Sequence, residues 1–487
     1  MLALIKLSPV FVLGILMNST VGFGLDILMA APLSLIYALI IGMAFGHVKF
    51  SDLMYSAIDS MKQVVLVFLI LQLAYAVASC FMETGVAASI INMALSLGIT
   101  AKLVAMTSLI VTAILSVATG TSWGTFAACA PIFLWLNHIV GGSTVLTISA
   151  IAGGSCFGDN IGLISDTTVV SSSLQGVQIT DRVRHQGVWS LLCLIAGAAA
   201  FYFAAVNMGL PDTIANPSEA ITRIPQSVWD ALNEKRPAAV TLLNQVRAGV
   251  PSYMIIPLIL VLVLAGIGVN TLVCLSTGIA GSLVCGYFAG TVTSLSKFLE
   301  VVQASFSSAG NWVIVMILWI TAFGGVMKRM DAFGGIAAFV MKYVHNVRQL
   351  MFANGVMCLI GNAALANDFA EIVTISPIIK DLTERNVKGS PEAMYKLALR
   401  NATLSDAMAV FGSQLFPWHV FMAFFMGIVD AVYHVSDGTI NAVDVIMHNY
   451  LAWIAVLSML LLTLTGLDRF IPMFSIPREP EVEFIKN

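Results

Sequence analysis

Two carboxylates lie close together in an apolar part of the chain, where isolated charges are costly. Residues 156–168 read CFGDNIGLISDTT and place Asp159 and Asp166 seven residues apart. Asp368, Glu371 and Asp406 follow in a second set of interrupted apolar segments. A charged side chain near the centre of a bilayer costs about 2.5–3.5 kcal/mol on insertion scales. Basic residues are absent from the same stretches, so these acids are predicted to need a bound cation or a proton as partner.

Hydroxyl and amide side chains surround these acids in the sequence and supply the hard oxygen ligands that sodium prefers. A buried carboxylate without a cation takes up a proton, because desolvation disfavours its charged form. One acid can therefore hold sodium on one side of a membrane and a proton on the other, which is a sufficient basis for sodium/proton exchange. The candidate oxygen ligands are Thr119, Thr121, Ser122, Asn160, Ser165, Asn367, Thr403 and Ser405.

The composition indicates which environment these acids occupy. Of 487 residues, 59% are hydrophobic and 10% are charged, and the mean hydropathy is +0.93, whereas soluble domains carry about 25% charged residues. Apolar runs such as 188–208 and 450–467 are long enough to span a bilayer. We therefore predict an all-α polytopic membrane protein with about 10–12 membrane segments.

Charge and cysteine usage exclude several classes of function. The net charge of -3 argues against a nucleic-acid partner. Seven scattered cysteines without a C-x-x-C pair predict neither a zinc site nor a disulfide framework. No cofactor is expected beyond sodium as the coupling ion.

The two halves of the chain match each other in order, at nearly constant offsets. Such an internal duplication is typical of secondary transporters, in which two repeats move against each other around a central site. Chance similarity between apolar helices is the alternative, and the sequence alone leaves the relative orientation of the repeats open. The matched segments are GFGLD (22–26) with GIGVN (266–270), TSWGT (121–125) with NDFAE (367–371), and SDTTV (165–169) with SDAMA (405–409), at offsets of 244, 246 and 240.

The duplication predicts four parts of the chain. Residues 1–211 form a first transmembrane repeat, 212–250 a polar linker, 251–470 a second repeat and 471–487 a C-terminal tail. Within the repeats, Gly, Ser, Thr, Asn and Asp interrupt apolar segments, which predicts broken or re-entrant helices. Such breaks expose carbonyl groups and helix N-termini that bind ions.

Three motifs resemble the NhaC-type sodium/proton antiporter family: TGTSWGT (119–125), FGDNIGLISDTT (157–168), and TLSDA followed by LFPWH (403–419). The resemblance implies a multi-pass carrier of the bacterial inner membrane, with two repeats of opposite orientation and re-entrant hairpins. It also implies a cation site. The residues that it assigns to this site are Thr121, Ser122, Asp159 and Asp166, with Asp406 as the second-half partner. Ser165 joins the predicted sodium ligands on the basis of its hydroxyl group and not of the resemblance.

Several positions depart from the family pattern, and they favour an organic solute as an alternative cargo. Asn160 stands where the family often has Lys, Ala366-Asn367-Asp368 replaces Gly-Asp-Gln, and His419 replaces Asn. Relatives of this family carry amino acids or small carboxylates together with sodium. The residues predicted to contact such a solute are Asn160, Asn367, Asp368, Glu371, Ser405 and His419.

Other interpretations remain open at this point. The Ser and Thr residues can act as contacts between helices, and His419 can be a structural histidine. An intramembrane enzyme is a remote alternative, because the chain has no H-E-x-x-H motif and no phosphate-binding loop. The expected partners are Na+, H+ and the lipid bilayer. A small organic solute and a homodimer are options that the sequence does not decide.

Overall fold

The structure is a computed structural model of the 487-residue chain. Of the predicted motifs, GFGLD (22–26) lies outside the described residues except for Leu25, and Trp418 of LFPWH lies outside them too. The described residues are 2–17, 25, 27–62, 65–96, 98–212, 214–215, 221–222, 224–235, 237–267, 269–311, 313–330, 332, 342–365, 367–417, 419–432 and 440–485.

Helices form almost all regular structure in these residues, which confirms the all-α class. In the first part of the chain, Ser143 and Ser165 cap the helices that begin at Thr144 and Asp166 by accepting backbone N–H groups of the first turn. The helices of this part are α1 (Leu2–Met17), α2 (Ile27–Ala44), α3 (Phe50–Lys62), α4 (Val65–Thr84), α5 (Val86–Leu95), α6 (Val104–Thr119), α7 (Ser122–Val140), α8 (Thr144–Ile161), α9 (Asp166–Gln175) and α10 (Ile179–Asn207).

The rest of the chain is also helical, with short strands and 3-10 turns between helices. Its helices are α11 (Gln226–Lys235), α12 (Pro237–Ala248), α13 (Ile256–Gly266), α14 (Thr271–Ala289), α15 (Leu295–Asn311), α16 (Val313–Arg329), α17 (Val347–Leu365), α18 (Asp368–Asn386), α19 (Pro391–Val410), α20 (Val420–Val432), α21 (Ala442–His448) and α22 (Tyr450–Thr465). The 3-10 turns are Ser252–Ile255, Gly412–Leu415 and Leu467–Phe470. Strand β1 (Ile99–Thr100) pairs antiparallel with β2 (Ile214–Ala215), and β3 (Val387–Gly389) with β4 (Val482–Phe484).

Few single helices reach the length of a full membrane span. Within the described residues, Ile179–Asn207 and Leu272–Ala289 are long and apolar enough. The number rises to four if Tyr75–Thr84 with Val86–Met93, and Ala442–His448 with Tyr450–Thr465, each count as one bent span. Interrupted helices are therefore present, as predicted, and the number of 10–12 segments stays a prediction.

A helical hairpin, α6–α7, occupies the centre of the first half. Gly154 of α8 lies against Leu109 of α6, and Gly158 lies against Ser116, so α6 and α8 run parallel. Helix α7 lies between α6 and α8 in the sequence and runs antiparallel to both. The chain reverses direction at Gly120, which forms the tip of the hairpin. This glycine has φ 65°, and a Cβ there would lie 2.5 Å from the side chain of Ile164. The tight tip therefore requires glycine.

A second hairpin, α17–α18, occupies the corresponding place in the second half. The offset of 246 pairs Thr121 with Asn367, and both residues are N-caps. Their backbone angles agree closely, at φ -143°, ψ 123° and φ -150°, ψ 123°. Each side chain accepts from the residue three positions on, Gly124 in the first hairpin and Ala370 in the second. The N-caps of α7 and α18 thus have the same local geometry.

Contacts between helices also come in matched pairs. Helix α16 packs on α2 and α3, while α14 and α15 pack on α4. Helix α9 of the first half packs on α18, and α20 of the second half packs on α7. These pairs fit the predicted duplication. The relative orientation of the two repeats stays a prediction.

One of the predicted matches does not hold at the structural level. Ser165 of SDTTV caps α9, whereas Ser405 of SDAMA lies inside α19. At the offset of 246, Asn137 corresponds instead to Thr383. Asn137 accepts a hydrogen bond from Thr147 of α8, and Thr383 accepts one from Asn401 of α19, each at 2.9 Å. Asp166 and Asp406 therefore do not occupy equivalent positions. Short Ser-Asp matches recur by chance, and only packing distinguishes a helix cap from a helix interior.

The predicted linker and tail both fold onto the helical body. In the linker, Lys102 pairs with Asp212 at 2.7 Å, and α12 packs on α4, α5 and α7. In the tail, Phe474 is buried and stacks on Trp189 with a centroid distance of 5.5 Å. Phe474, Ile476 and Val482 are buried, so these apolar residues anchor the predicted tail to the helical body, with Phe474 lying between α10 and α19.

Candidate functional site

Asp159 lies near the C-terminal end of α8 and is surrounded by donors from two helix N-termini. The hydroxyl of Ser122, the first residue of α7, donates to Asp159 Oδ2 at 2.6 Å, and the Ser122 backbone N–H lies 3.3 Å from the same oxygen. Ser165, the N-cap of α9, donates to Asp159 Oδ1 at 2.6 Å. Asp159 is 2% exposed. Helix N-termini favour a negative group, so this position suits a carboxylate.

The approach of α6 to α8 determines where Asp159 sits. A Cβ at Gly158 would fall against the backbone of Ser116 and Val117, so only glycine permits this distance between the helices. The hydroxyl of Ser116 donates to the carbonyl of Ser155 across the same contact. The glycine next to Asp159 therefore brings α8, and with it the carboxylate, close to the tip of the first hairpin.

Asp406 has a basic partner, contrary to the sequence analysis. Arg182 Nη2 lies 2.5 Å from Asp406 Oδ2, and both side chains are 0% exposed. Asn160 Nδ2 donates to the same oxygen at 2.8 Å. The expectation that these acids lack basic partners is thus wrong for Asp406. Arg182 belongs to the polar first turn of α10, outside the stretches that carry the acids, and only the packing of α10 on α19 brings it to Asp406.

A network of amides supports this ion pair. Arg182 Nη2 also donates to the Asn160 carbonyl at 3.1 Å. Gln186, one turn further along α10, donates to the same carbonyl at 2.9 Å and to Asn160 Oδ1 at 3.1 Å. Among the described residues, Arg182 Nε and Nη1 and Asp406 Oδ1 are buried without a hydrogen-bond partner. The pair therefore retains both donor and acceptor capacity.

Two hydroxyl groups connect the surroundings of Asp159 to those of Asp406. Ser165 Oγ lies 3.0 Å from Thr167 Oγ1, and the Thr167 hydroxyl lies beside the Asp406 carboxylate. Asp166, the first residue of α9, is half-buried, and its Oδ1 accepts the Thr167 N–H at 2.9 Å. The α8–α9 turn thus supplies a continuous series of polar groups between Asp159 and Asp406.

The second hairpin places two more acids at its tip. Asn367 caps α18, Asp368 begins it and Glu371 follows one turn later. Asp368 lies within electrostatic range of Asp159 and Asp406, and Glu371 within range of Asp368 and Asp406. The structure therefore brings the predicted acids of both halves together, where the hairpin tips meet the α8–α9 turn and α19.

Within the described part of the chain, Glu371 is buried without the regular hydrogen bonds that usually accompany a buried carboxyl group. It is 0% exposed, and neither carboxyl oxygen has a regular hydrogen-bond partner among the described residues. The thiol of Cys358, a weak donor, faces it. An ionised carboxylate is expensive in such a place, so Glu371 is a position where a proton or a cation is needed.

Ser405 and His419 are two further predicted residues, and both are buried. Ser405 is buried, and its hydroxyl oxygen has no partner among the described residues. His419 is fully buried, with its Nδ1 accepting the Phe421 N–H at 3.1 Å and its Nε2 lying 2.9 Å from Asn362 Oδ1. A ring whose Nδ1 is an acceptor carries its proton on Nε2. Both nitrogens of His419 are thus engaged, and Asn362 in turn donates to the carbonyls of Met408 and Ala409 on α19.

Four residues near the acids were missed by the sequence analysis. Arg182 and Gln186 share one face of α10 because they are four residues apart, and that spacing was the available signal. Thr167 follows Asp166 directly. Tyr75 of α4 lies within electrostatic range of Asp159 and Asp166. A single tyrosine in an apolar helix gives no comparable signal.

The acids do not form a preassembled metal centre. In the part of the chain that the structure describes, no group of three or more His, Cys, Asp or Glu side chains is arranged to hold a metal ion. Sodium would therefore draw on hydroxyl and carbonyl oxygens as well. Around Asp159 these are the oxygens of Ser122 and Ser165, which are hard ligands of the kind that sodium takes.

A model of the Na+/H+ antiporter family matches residues 1–208 and 154–467. The chain belongs to the Na+/H+ antiporter family. NhaC of Alkalihalophilus pseudofirmus, a Na+/H+ antiporter, is 23% identical over 413 residues, which cover 80% of this chain and 82% of that protein. These findings confirm the predicted NhaC type and place this antiporter-family protein among transporters.

A second relative is named for the transport of organic solutes. The malate-2H+/Na+-lactate antiporter of Bacillus subtilis is 23% identical over 423 residues, which cover 85% of this chain and 87% of that protein.

The fold of this antiporter-family protein is similar to solved membrane transporters. MtrF of Neisseria gonorrhoeae has a TM-score of 0.56 at 11% identity and covers 89% of this chain and 94% of its own. The YdaH transporter of Alcanivorax borkumensis has a TM-score of 0.56 at 12% identity and covers 91% and 99%. Together with the family match, this fold makes the protein a multi-pass membrane transporter.

Proposed function

We propose that the protein exchanges sodium for protons across the bacterial inner membrane, with Asp159 as the carboxylate for which the two ions compete. The observation that carries this proposal is the position of Asp159. It is buried at the meeting point of the α7 and α9 N-termini, with two serine hydroxyls at 2.6 Å. Family membership supports the choice of ions.

The chemistry follows from the donor set around Asp159. With a proton bound, the carboxyl group is neutral and tolerates its dry surroundings. With sodium bound, the hydroxyls of Ser122 and Ser165 can turn their oxygen atoms toward the ion, because each hydroxyl both donates and accepts. Both states neutralise the same charge, so one ion must leave before the other binds. That exclusion is what couples the two fluxes.

Movement between the halves would expose this site to each face of the membrane in turn. The hairpin tips come from both halves of the chain, and α9 packs on α18 across the boundary between them. Secondary transporters place their sites at such boundaries and rock the two parts around them. We infer that the matched halves provide this alternating access.

The proposal is tested in proteoliposomes that hold a pH gradient and a fluorescent pH probe. A sodium pulse should discharge the gradient in the wild type and leave it unchanged in Asp159→Asn. Asp59→Asn is the matched control, because Asp59 is exposed and pairs only with Lys62 at 3.9 Å among the described ion pairs. Equal discharge by wild type and Asp159→Asn would refute the assignment of Asp159.

A second function, exchange involving a small carboxylate or an amino acid, is favoured by one observation. Arg182 Nε and Nη1 are buried donors without partners among the described residues, and a guanidinium group binds carboxylates well. The malate/lactate relative supports this alternative. Thermal unfolding in sodium with malate, lactate, arginine or ornithine tests it, because a ligand at 100 times its Kd stabilises by about 2.7 kcal/mol. No shift with any of the four would count against it.

A further inference from the structure

We propose that Arg182 is a tethered counter-cation for Asp406, so that Asp406 is closed to sodium and the coupling ion binds at the other acids. The inference rests on the proposed function, since it concerns which acids take the ion. Nothing in the sequence pattern assigns Arg182 a role.

The first argument is the charge balance of the cluster. Among the described residues, the acids brought together are Asp159, Asp166, Asp368, Glu371 and Asp406, and Arg182 is the basic side chain in contact with one of them. An isolated charge buried in the membrane is untenable without a partner. Asp406 has its partner within the chain. The other acids must take theirs from solution.

The second argument is geometric. Arg182 Nη2 lies 2.5 Å from Asp406 Oδ2, and the same oxygen accepts from Asn160 at 2.8 Å. The guanidinium group is also held by the Asn160 carbonyl, which Gln186 fixes from the next turn of α10. A sodium ion at this oxygen would have to displace two donors and leave the Arg182 charge buried and unpaired. Removing one partner of a buried ion pair is strongly destabilising, because the other charge is left uncompensated. Asp406 Oδ1 has no partner among the described residues, but a sodium ion there would add a second positive charge to a carboxylate that Arg182 already neutralises.

The third argument concerns the neighbouring acids. Asp406 lies within electrostatic range of Asp159 and Asp368. An unpaired Asp406 would therefore attract cations to the whole cluster, and Arg182 offsets that attraction. The pair thus limits how many ions the site holds and how tightly it holds them, while Asp159 remains available.

Equilibrium binding of radioactive sodium to the purified protein at about pH 8.5, with few competing protons, tests this division. We expect Asp406→Asn to bind as many sodium ions per chain as the wild type, with weaker affinity because the charge of Arg182 is then uncompensated. We expect Arg182→Gln to bind one ion more, and Arg182→Gln with Asp406→Asn to return to the wild-type number. Arg182→Lys keeps the charge and should also bind the wild-type number.

The outcomes separate this inference from the proposed function. If Asp406→Asn binds one ion fewer than the wild type, Asp406 is a sodium ligand and the inference is wrong. The Asp406→Asn measurement decides the question even if Arg182→Gln alone does not fold. The double variant Arg182→Gln with Asp406→Asn removes both charges of the pair and therefore keeps the charge balanced. If the wild type binds no sodium, or Asp159→Asn binds as much as the wild type, the proposed function fails instead.

Discussion

Replacing Ser165 by Ala tests whether the hydroxyl at Asp159 contributes to ion binding or only to folding. Ser165 Oγ donates to Asp159 Oδ1 at 2.6 Å and accepts the Thr168 N–H at 3.3 Å as the N-cap of α9. With sodium bound, the same hydroxyl would turn its oxygen toward the ion, and we equate the strength of this contact with that of a hydrogen bond to a charged group, about 1.5–3 kcal/mol. At 1.4 kcal/mol for each factor of ten, that corresponds to about 10- to 100-fold in affinity.

Ser143 provides a matched control for this substitution. It caps α8 by accepting the Leu146 N–H at 3.5 Å, and no described hydrogen bond joins it to a carboxylate. Loss of an N-cap serine costs about 0.5–2 kcal/mol of stability, so Ser143→Ala and Ser165→Ala should lower thermal stability by similar amounts. Only Ser165→Ala should raise the sodium concentration that gives half-maximal exchange, by about tenfold or more.

The assay is sodium-driven pH change in proteoliposomes over a series of sodium concentrations, alongside thermal unfolding in detergent. Ser165→Thr keeps the hydroxyl and should stay close to the wild type in sodium dependence. If Ser165→Ala and Ser143→Ala shift the sodium dependence equally, the hydroxyl acts through helix stability and not through Asp159. The reasoning that makes Ser165 a sodium ligand would then be refuted.

Other substitutions test the packing that holds the site. Gly120→Ala should reduce folded yield and exchange, because a Cβ there would clash with Ile164 in addition to straining the backbone at φ 65°. Gly98→Ala is the control: at φ 74° with open space around it, it should cost about 1 kcal/mol from strain alone, and equal effects of the two substitutions would remove the steric argument. Phe474→Ala should destabilise by about 3–5 kcal/mol in thermal unfolding, whereas Phe470→Ala, which is 69% exposed, should change stability by less than about 0.5 kcal/mol. A Phe474→Ala variant as stable as the wild type would show that residues 471–485 are not anchored by this ring.

The C-terminal segment is connected to the helices that carry the ion pair. The Arg400 guanidinium lies 3.9 Å above the Phe474 ring, pairs with Asp468 at 3.4 Å and donates to Thr463 at 2.8 Å. Arg400 is on α19, as is Asp406, and the ring of Trp189 stacks on Phe474 from α10, the helix of Arg182. The segment thus joins α10 and α19 through contacts with Trp189 and Arg400.

Much of the site could be predicted from residue types alone. The acids interrupt apolar segments, and a charge in hydrocarbon is too costly to be incidental. The motif TGTSWGT contains a glycine followed by a hydroxyl residue, which is the pattern of a helix that ends and restarts; the structure places the tip of the first hairpin there. The near-constant offset paired Thr121 with Asn367, and both residues are N-caps.

The sequence by itself therefore determined that the protein lies in a lipid bilayer, that its helices are interrupted, and which kinds of atoms are available at the breaks. Those properties follow from composition and from the local chemistry of glycine, hydroxyl and carboxyl groups. Only the tertiary structure decided which acids lack a partner. Arg182 lies 224 positions from Asp406 along the chain, and no local pattern links them. Their pairing depends on the packing of α10 against α19, and that contact separates an acid neutralised within the chain from acids that need an ion from solution.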